Sequence, residues 1–322
     1  MHASIERFQV WVYLGSVALG LSLAVVIPAV AEALGSFVWP LLAALLFATF
    51  SQTPLARLPE TFRDRRFLLG LLLGNFLILP LLVGVALNFL PLEPAVRLGI
   101  LLVLLVPCTD WFISFAHLGR GDARRAVAST PLSLLLQIPA LPFYLWLFLG
   151  ATVADMTVAV PLLLALSGLV ILPLALAFLL QRQAARRPEL ERTRQRMALL
   201  PVPLLGLVVF VIAASQAPAV FGLAGGLWLP ALIFAAFALA AALLGKCLGQ
   251  MLDLSVPAAR TLSFSFATRN SFVVLPLALA LPQGWEAAAL VIVLQSLVEL
   301  LAMSLLVQWV PDRLIPEAGS PR

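Results

Sequence analysis

Long apolar runs alternate with short charged breaks along the whole chain. Ten runs can be read, at about 9–33, 37–56, 67–90, 98–118, 126–150, 155–180, 198–218, 226–247, 257–282 and 286–310. Each is close to the ~20 residues that a helix needs to cross hydrocarbon. The pattern predicts an all-α polytopic membrane protein with ten transmembrane helices. It reads as one integral membrane domain over 1–322, with a tail at 311–322.

The charged breaks assign the two sides. Arg57, Arg63, Arg65 and Arg66 follow the second run, and Arg120, Arg124 and Arg125 follow the fourth. Arg182, Arg186, Arg187, Arg192, Arg194 and Arg196 follow the sixth, in a connector at 181–197 that reads as a short basic helix. Lys246 and Arg260 flank the loop after the eighth run. With Arg7, Arg313 and Arg322, every Lys and Arg except Arg97 and Arg269 falls on one side. The positive-inside rule makes that side the cytoplasm and predicts an inner-membrane protein with both termini cytoplasmic. Trp39, Trp146, Trp228 and Trp285 then all lie at outer span ends, as an interfacial belt does.

Composition excludes several classes. The chain is 62% hydrophobic and 11% charged, where a soluble domain carries about 25% charged residues. The pI near 10.2 does not point to nucleic acid, because the basic residues lie between apolar runs and not on one face. The first run exceeds the roughly 7–15 residues of a signal-peptide core, so it reads as a retained helix. Cys108 and Cys247 are too far apart for a zinc signature, and His2 and His117 make no metal pair. No G-x-S-x-G and no phosphate loop is present, so the chain reads as no enzyme and implies no cofactor.

Two runs are interrupted by polar residues. "LLVPCTDWFIS" (Leu104 to Ser114) and "SFATRNSFVV" (Ser265 to Val274) place Pro107, Cys108, Thr109, Asp110, Arg269, Asn270 and Ser271 inside the fourth and ninth spans. Pro107 removes a backbone donor, and the hydroxyls and amides can satisfy groups freed by a break. Two intact, proline-kinked helices are the plainer alternative. Ten spans divide into two fives, and an odd number inverts the second half. "CTDWF" aligns with "RNSF", and "LLLQIPAL" with "IVLQSLVE", setting Asp110 over Asn270 and Gln137 near Gln295. The expectation is two inverted five-helix repeats, 9–150 and 155–310, with spans 4 and 9 broken and crossing, the usual architecture of secondary transporters.

The intramembrane charges carry the functional reading, because each costs roughly 2.5–3.5 kcal/mol on insertion scales. Asp110 is either a proton-exchanging acid or a structural cap. Arg269 can pair with Asp110 if the breaks cross, as a substrate-sensitive pair or as a permanent bridge. Cys108 is either a small hydrophobe or a soft ligand for a thiol-seeking solute. Glu299, one turn after Gln295, either carries a proton or hydrogen-bonds a neighbouring broken helix. Asn75 and Gln137 read as braces for the breaks.

At these residues the chain resembles the yeast-type arsenite permeases, a branch of the bile acid/sodium symporter superfamily, over nearly its whole length. The resemblance rests on "LLGNFLILPLL", "LLVPCTDWFISFAHLGRGDA", "TLSFSFATRNSFVVLPLALA" and "LQSLVELLAM". It implies ten spans with a core domain moving against a panel, and export of arsenite, with antimonite as a second metalloid, by proton exchange. Carried over, Cys108 matches the cysteine for arsenite handling, Glu299 the acid of span 10, and Asn270 an asparagine at the crossing. Two departures stand out. The family's Ala-Ser-Asn-Asn-Phe-Glu is here Ala267-Thr268-Arg269-Asn270-Ser271-Phe272, so its glutamate is Phe272. Asp110 stands where relatives have a small apolar residue, as if a coupling acid had moved to span 4. Against the sodium branch's Glu-Thr-Gly-x-Gln-Asn, Ser265 takes the place of the acid and Arg269 that of the glutamine, which argues against sodium coupling.

The resulting expectation is a secondary transporter exporting arsenite from the cytoplasm by proton antiport and alternating access. The alternative is a carrier for a small organic anion with Arg269 at the anion. Either way the partners are a small inorganic oxyacid or organic anion, protons and the lipid bilayer, with no nucleic acid.

Overall fold

Proline-punctuated apolar runs form helices here, and where the prolines fall decides how each helix is interrupted. The computed structural model describes residues 2–53, 62–109, 111–150, 156–215, 217 and 226–317, with the backbone alone at 2–11, 14 and 156–158. Arg57, Asp110 and Arg322 lie outside the described residues, as do parts of the second, sixth and seventh runs. In chain order the helices are α1 (His2–Val26), α2 (Pro28–Leu34), α3 (Val38–Gln52), α4 (Arg65–Asn88), α5 (Pro94–Leu104), α6 (Trp111–Leu118) and α7 (Ala123–Leu149). There follow α8 (Met156–Ala165 and Leu172–Ala184, joined through Leu166–Ile171), α9 (Pro188–Met197) and α10 (Pro201–Ser215). The last four are α11 (Trp228–Met251), α12 (Val256–Ala267), α13 (Ser271–Leu279) and α14 (Glu286–Leu314).

Helix lies beneath every one of the ten runs. Among the described residues six stretches are long and apolar enough to cross a membrane, and α9 with α10, bent by 45°, makes a seventh if taken as one span. The fourth and ninth runs are not among the six because each is two short helices, α5 with α6 and α12 with α13. The plainer alternative of two intact, kinked helices is not what the chain adopts. The basic connector after the sixth run is helical, as α9.

Among the described residues three helices carry a π turn, each beside a proline: Gly74–Ile78 before Pro80, Leu166–Ile171 before Pro173, and Val310–Leu314 around Pro311. Proline lacks the N–H that would bond the fourth residue back, and its ring crowds that carbonyl, so the preceding turn widens. The first two share the tetrapeptide Ile-Leu-Pro-Leu, at 78–81 and 171–174. The same four residues give the same local distortion.

The chain separates into two compact units. The first comprises Met1–Gln52, Asp155–Leu227 and Phe272–Val293. In it α1 and α10 pack closely at Gly20, where a Cβ would fall 2.5 Å from the Phe210 carbonyl oxygen. The last turn of α3 leaves carbonyls without helical partners, and side chains from α8 and α9 supply them. Gln181 Nε2 donates to Phe50 O at 3.0 Å, Arg194 Nη1 to Ser51 O at 3.3 Å, and Gln52 Nε2 returns a bond to Arg194 O at 2.9 Å.

The second unit comprises Thr53–Ala154, Trp228–Ser271 and Leu294–Arg322. Its centre is α12, in which every residue from Ala258 to Ala267 is buried. Small residues let α11 approach it: a Cβ on Gly245 would sit 2.4 Å from Ser263 Cα, and one on Gly249 2.5 Å from Ala259 Cβ. This is the small-residue spacing that membrane helices use for close packing. Ser263 Oγ closes the contact by donating to Ala242 O at 3.0 Å. At one end of the unit, Asp64 caps α4 through Phe67 N and Asp122 caps α7 through Arg125 N. Arg125 joins the two caps, with Nη2 2.7 Å from Asp64 Oδ2 and Nη1 2.6 Å from Asp122 Oδ2.

Two expectations follow from this packing. Gly245→Ala puts a methyl into backbone and is expected to cost about 1–3 kcal/mol, the usual penalty for overpacking. Gly168→Ala, which meets nothing within 4 Å, leaves the melting temperature unchanged. Burial pushes the Asp64 carboxyl up, but the Phe67 N–H and the Arg125 guanidinium outweigh it and hold its pKa below the ordinary range. A carboxyl depressed in the fold contributes stability that is present above its unfolded pKa and lost as pH falls through its folded value. Asp64→Asn therefore lowers the melting temperature at neutral pH, and the difference from wild type closes below about pH 4.

Candidate functional site

Breaking a helix frees peptide groups that hydrocarbon cannot solvate. Here the two breaks, described over 105–109 and 268–270, bond to each other inside the second unit. Pro107 and Arg269 form an antiparallel bridge. Cys108 N donates to Thr268 O at 3.3 Å, and Asn270 N donates to Val106 O at 2.9 Å. Pro107, which has no N–H, stands in the bridge at a position needing no donor. The C-termini of α5 and α12 and the N-terminus of α13 end at this pairing, so partial helix charges of both signs meet there.

Side chains then fix the pairing. Asn270 Nδ2 donates to Thr109 Oγ1 at 3.3 Å, tying one break to the other. Glu299 accepts with one oxygen, Oε2, from Arg269 N at 2.7 Å and from Gln295 Nε2 at 2.6 Å. Ser271 Oγ donates to Gln295 Oε1 at 2.6 Å. Gln295 and Glu299 lie one turn apart on α14, so α14 braces the ninth-span break through three linked bonds.

The Arg269 side chain leaves this brace. Its Nη2 donates to Asn75 Oδ1 at 3.1 Å and to the Phe266 carbonyl, and Asn75 Nδ2 in turn donates to Ser265 Oγ at 3.0 Å. The guanidinium carbon lies 4.9 Å from the centre of the Phe237 ring, a cation–π contact. Among the described residues Nε and Nη1 have no hydrogen-bond partner, although Arg269 is only 3% exposed. Glu299 spends its bond on the Arg269 backbone N–H and not on the guanidinium.

The structure therefore brings together Cys108, Thr109, Arg269, Asn270, Ser271, Glu299, Asn75 and Gln295, all buried. Asp110 lies outside the described residues, so its expected pairing with Arg269 stays untested by geometry. Gln137 is buried at 2% exposure but its amide bonds to none of the described residues, so no hydrogen bond joins it to the brace. Phe237 and Ser265 belong to the cluster and were not expected there as contacts. An aromatic in an apolar helix carries no sequence signal that separates it from lipid-facing neighbours. Among the described residues no group of three His, Cys, Asp or Glu is placed to hold a metal.

Glu299→Leu leaves the Arg269 N–H and the Gln295 amide without an acceptor, at about 1–3 kcal/mol for each buried orphan. Thermal unfolding in detergent should show a large drop for Glu299→Leu and a smaller one for Glu299→Gln, which keeps an acceptor oxygen.

No curated protein matches the chain. The model of the Sodium Bile acid symporter family matches residues 39–223, more than half of the sequence. That stretch contains the whole of the fourth-span break, and the apolar helices suit a multi-pass membrane protein of this kind. This chain belongs to the sodium/bile acid symporter family, whose members are membrane transporters and not enzymes.

Proposed function

We propose that this transporter exports arsenite, with antimonite as a second substrate, from the cytoplasm across the inner membrane in exchange for protons. One observation carries the reading. Cys108 sits buried on the paired breaks, next to the Pro107–Arg269 bridge, with its own N–H bonded to Thr268 O. A thiol is the soft donor that trivalent arsenic prefers. Thr109 and Asn270 beside it offer hydrogen-bonding groups to the hydroxyls of an oxyacid. The bonded breaks support ten spans in two inverted halves, because an inverted pair of interrupted helices meets head to head at mid-membrane. Both termini are then cytoplasmic, as the arginine distribution requires.

Asp110 is the coupling acid in this reading. Arg269, a cation that cannot dissociate, occupies the crossing in place of a mobile one, so transport proceeds without sodium. A second reading, a carrier for a small organic anion, is favoured by the two guanidinium nitrogens of Arg269 that have no partner among the described residues, since a buried N–H donates readily to a carboxylate oxygen.

Everted membrane vesicles separate these readings. Arsenite and antimonite should accumulate under a proton gradient without sodium, and arsenate should not. Asp110→Asn should abolish the gradient-dependent part, and Cys108→Ser should remove most arsenite accumulation. Accumulation of carboxylates in place of arsenite, unaffected by Cys108→Ser and lost in Arg269→Gln, would replace the first reading with the second.

A further inference from the structure

Arg260 counted in the sequence as one more loop charge, but it is the largest fully buried side chain, at 1% exposure. It lies in the first turns of α12, nine residues before Arg269. A buried guanidinium has to be satisfied by hydrogen bonds, and the partners here come from two separate segments. Nε donates to Ile315 O at 3.0 Å, Nη2 to Pro311 O at 3.4 Å, and Nη1 to Glu317 Oε1 and to Arg120 O, both at 3.1 Å. Three of the four acceptors belong to the stretch that follows the apolar part of α14. The fourth is the loop that ends α6.

That loop is itself pressed onto α12. Gly119 and Gly121 have no room for a Cβ, which would fall 2.2 Å from the Phe264 ring and 2.8 Å from Thr261 Oγ1. Asp122 N donates to Thr261 Oγ1 at 2.7 Å. Arg120 takes a positive φ of 56°, uncommon for a residue with a side chain, and its carbonyl accepts from Arg260. Its own Nη1 reaches Asp312 Oδ1 at 3.1 Å, although that pair is well exposed and contributes little. Beneath the polar contacts, Val310, Leu314 and Ile315 are buried in the hydrophobic cluster that also holds Phe112, Ala116, Leu262, Phe264 and Cys108.

We infer that residues 310–317 form a strap which, clamped by Arg260, holds together the ends of α6 and α12 that lie away from the breaks and keeps the paired breaks closed to solvent from that side. The helices it joins are the second half of the fourth span and the first half of the ninth, and both run directly into the breaks. Releasing the strap leaves Arg260 buried with fewer acceptors and uncovers the cluster around Cys108. Local opening of α6 and α12 is then the cheapest relief. The device is independent of which solute is carried.

Cys108 serves as the reporter. Cys247 is exposed, so the parent is the full chain with Cys247→Ser, purified in detergent, in which Cys108 is the sole thiol. The rate of its modification by N-ethylmaleimide is compared with that in Glu317→Gln and in a chain ended after Leu314, together with hydrogen exchange along the backbone. The expected result is labelling faster by about tenfold or more in the shortened chain, the opening equilibrium that one or two lost hydrogen bonds imply. Glu317→Gln should show a smaller rise. Exchange should increase in 111–118 and 256–267 and stay unchanged in 201–215 of the first unit. Unchanged labelling overturns the strap, and so does a rise in exchange spread evenly over both units, which would mean general loss of stability.

Discussion

The structure depends on two helix breaks satisfying one another's backbone. A peptide group left unpaired in hydrocarbon costs several kcal/mol, so an interrupted membrane helix persists only where the freed groups find partners. Val106, Cys108, Thr268 and Asn270 supply those partners to each other, with Pro107 opposite Arg269. The pairing sets the register of α5 and α6 against α12. Asn270 to Thr109 and Glu299 to Arg269 N then hold that register from the side. The close approach of α11 to α12 at Gly245 and Gly249 seats α12 firmly behind the breaks.

A permanent cation at this pairing gives the site its character. Arg269 is buried, and its guanidinium is oriented by Asn75, by the Phe266 carbonyl and by the face of Phe237. Among the described residues, Glu299 bonds the Arg269 backbone N–H and not the guanidinium. Desolvation makes such a charge costly to bury, so the groups that orient it hold it in one place.

Both buried arginines of the second unit lie in or just after α12, and each is satisfied differently. Arg260 fills its donors mostly with backbone carbonyls from segments distant in sequence, which is how a buried cation becomes a structural clamp. Arg269 has Nε and Nη1 without a hydrogen-bond partner among the described residues. The contrast comes from the partners and not from the residue type.

Much of the architecture was legible in the sequence because it rests on local signals. Run length and hydropathy mark the helices, Pro107 and the polar residues beside it mark the fourth-span break, and Ile-Leu-Pro-Leu marks two of the π turns. Cys108, Thr109, Arg269, Asn270, Ser271 and Glu299 stood out because polar side chains are expensive in an apolar run. The tertiary structure alone decided what each of them meets. That Glu299 bonds a backbone N–H, that Phe237 faces Arg269, that Gln137 bonds none of the described residues, and that Arg260 is a buried clamp and not a loop charge all depend on register between segments up to about two hundred residues apart. Hydrophobic patterning specifies that a residue is inside the apolar layer. Which neighbour it faces there follows from the rotation and depth of each helix, and these are set by packing and by the pairing of the breaks.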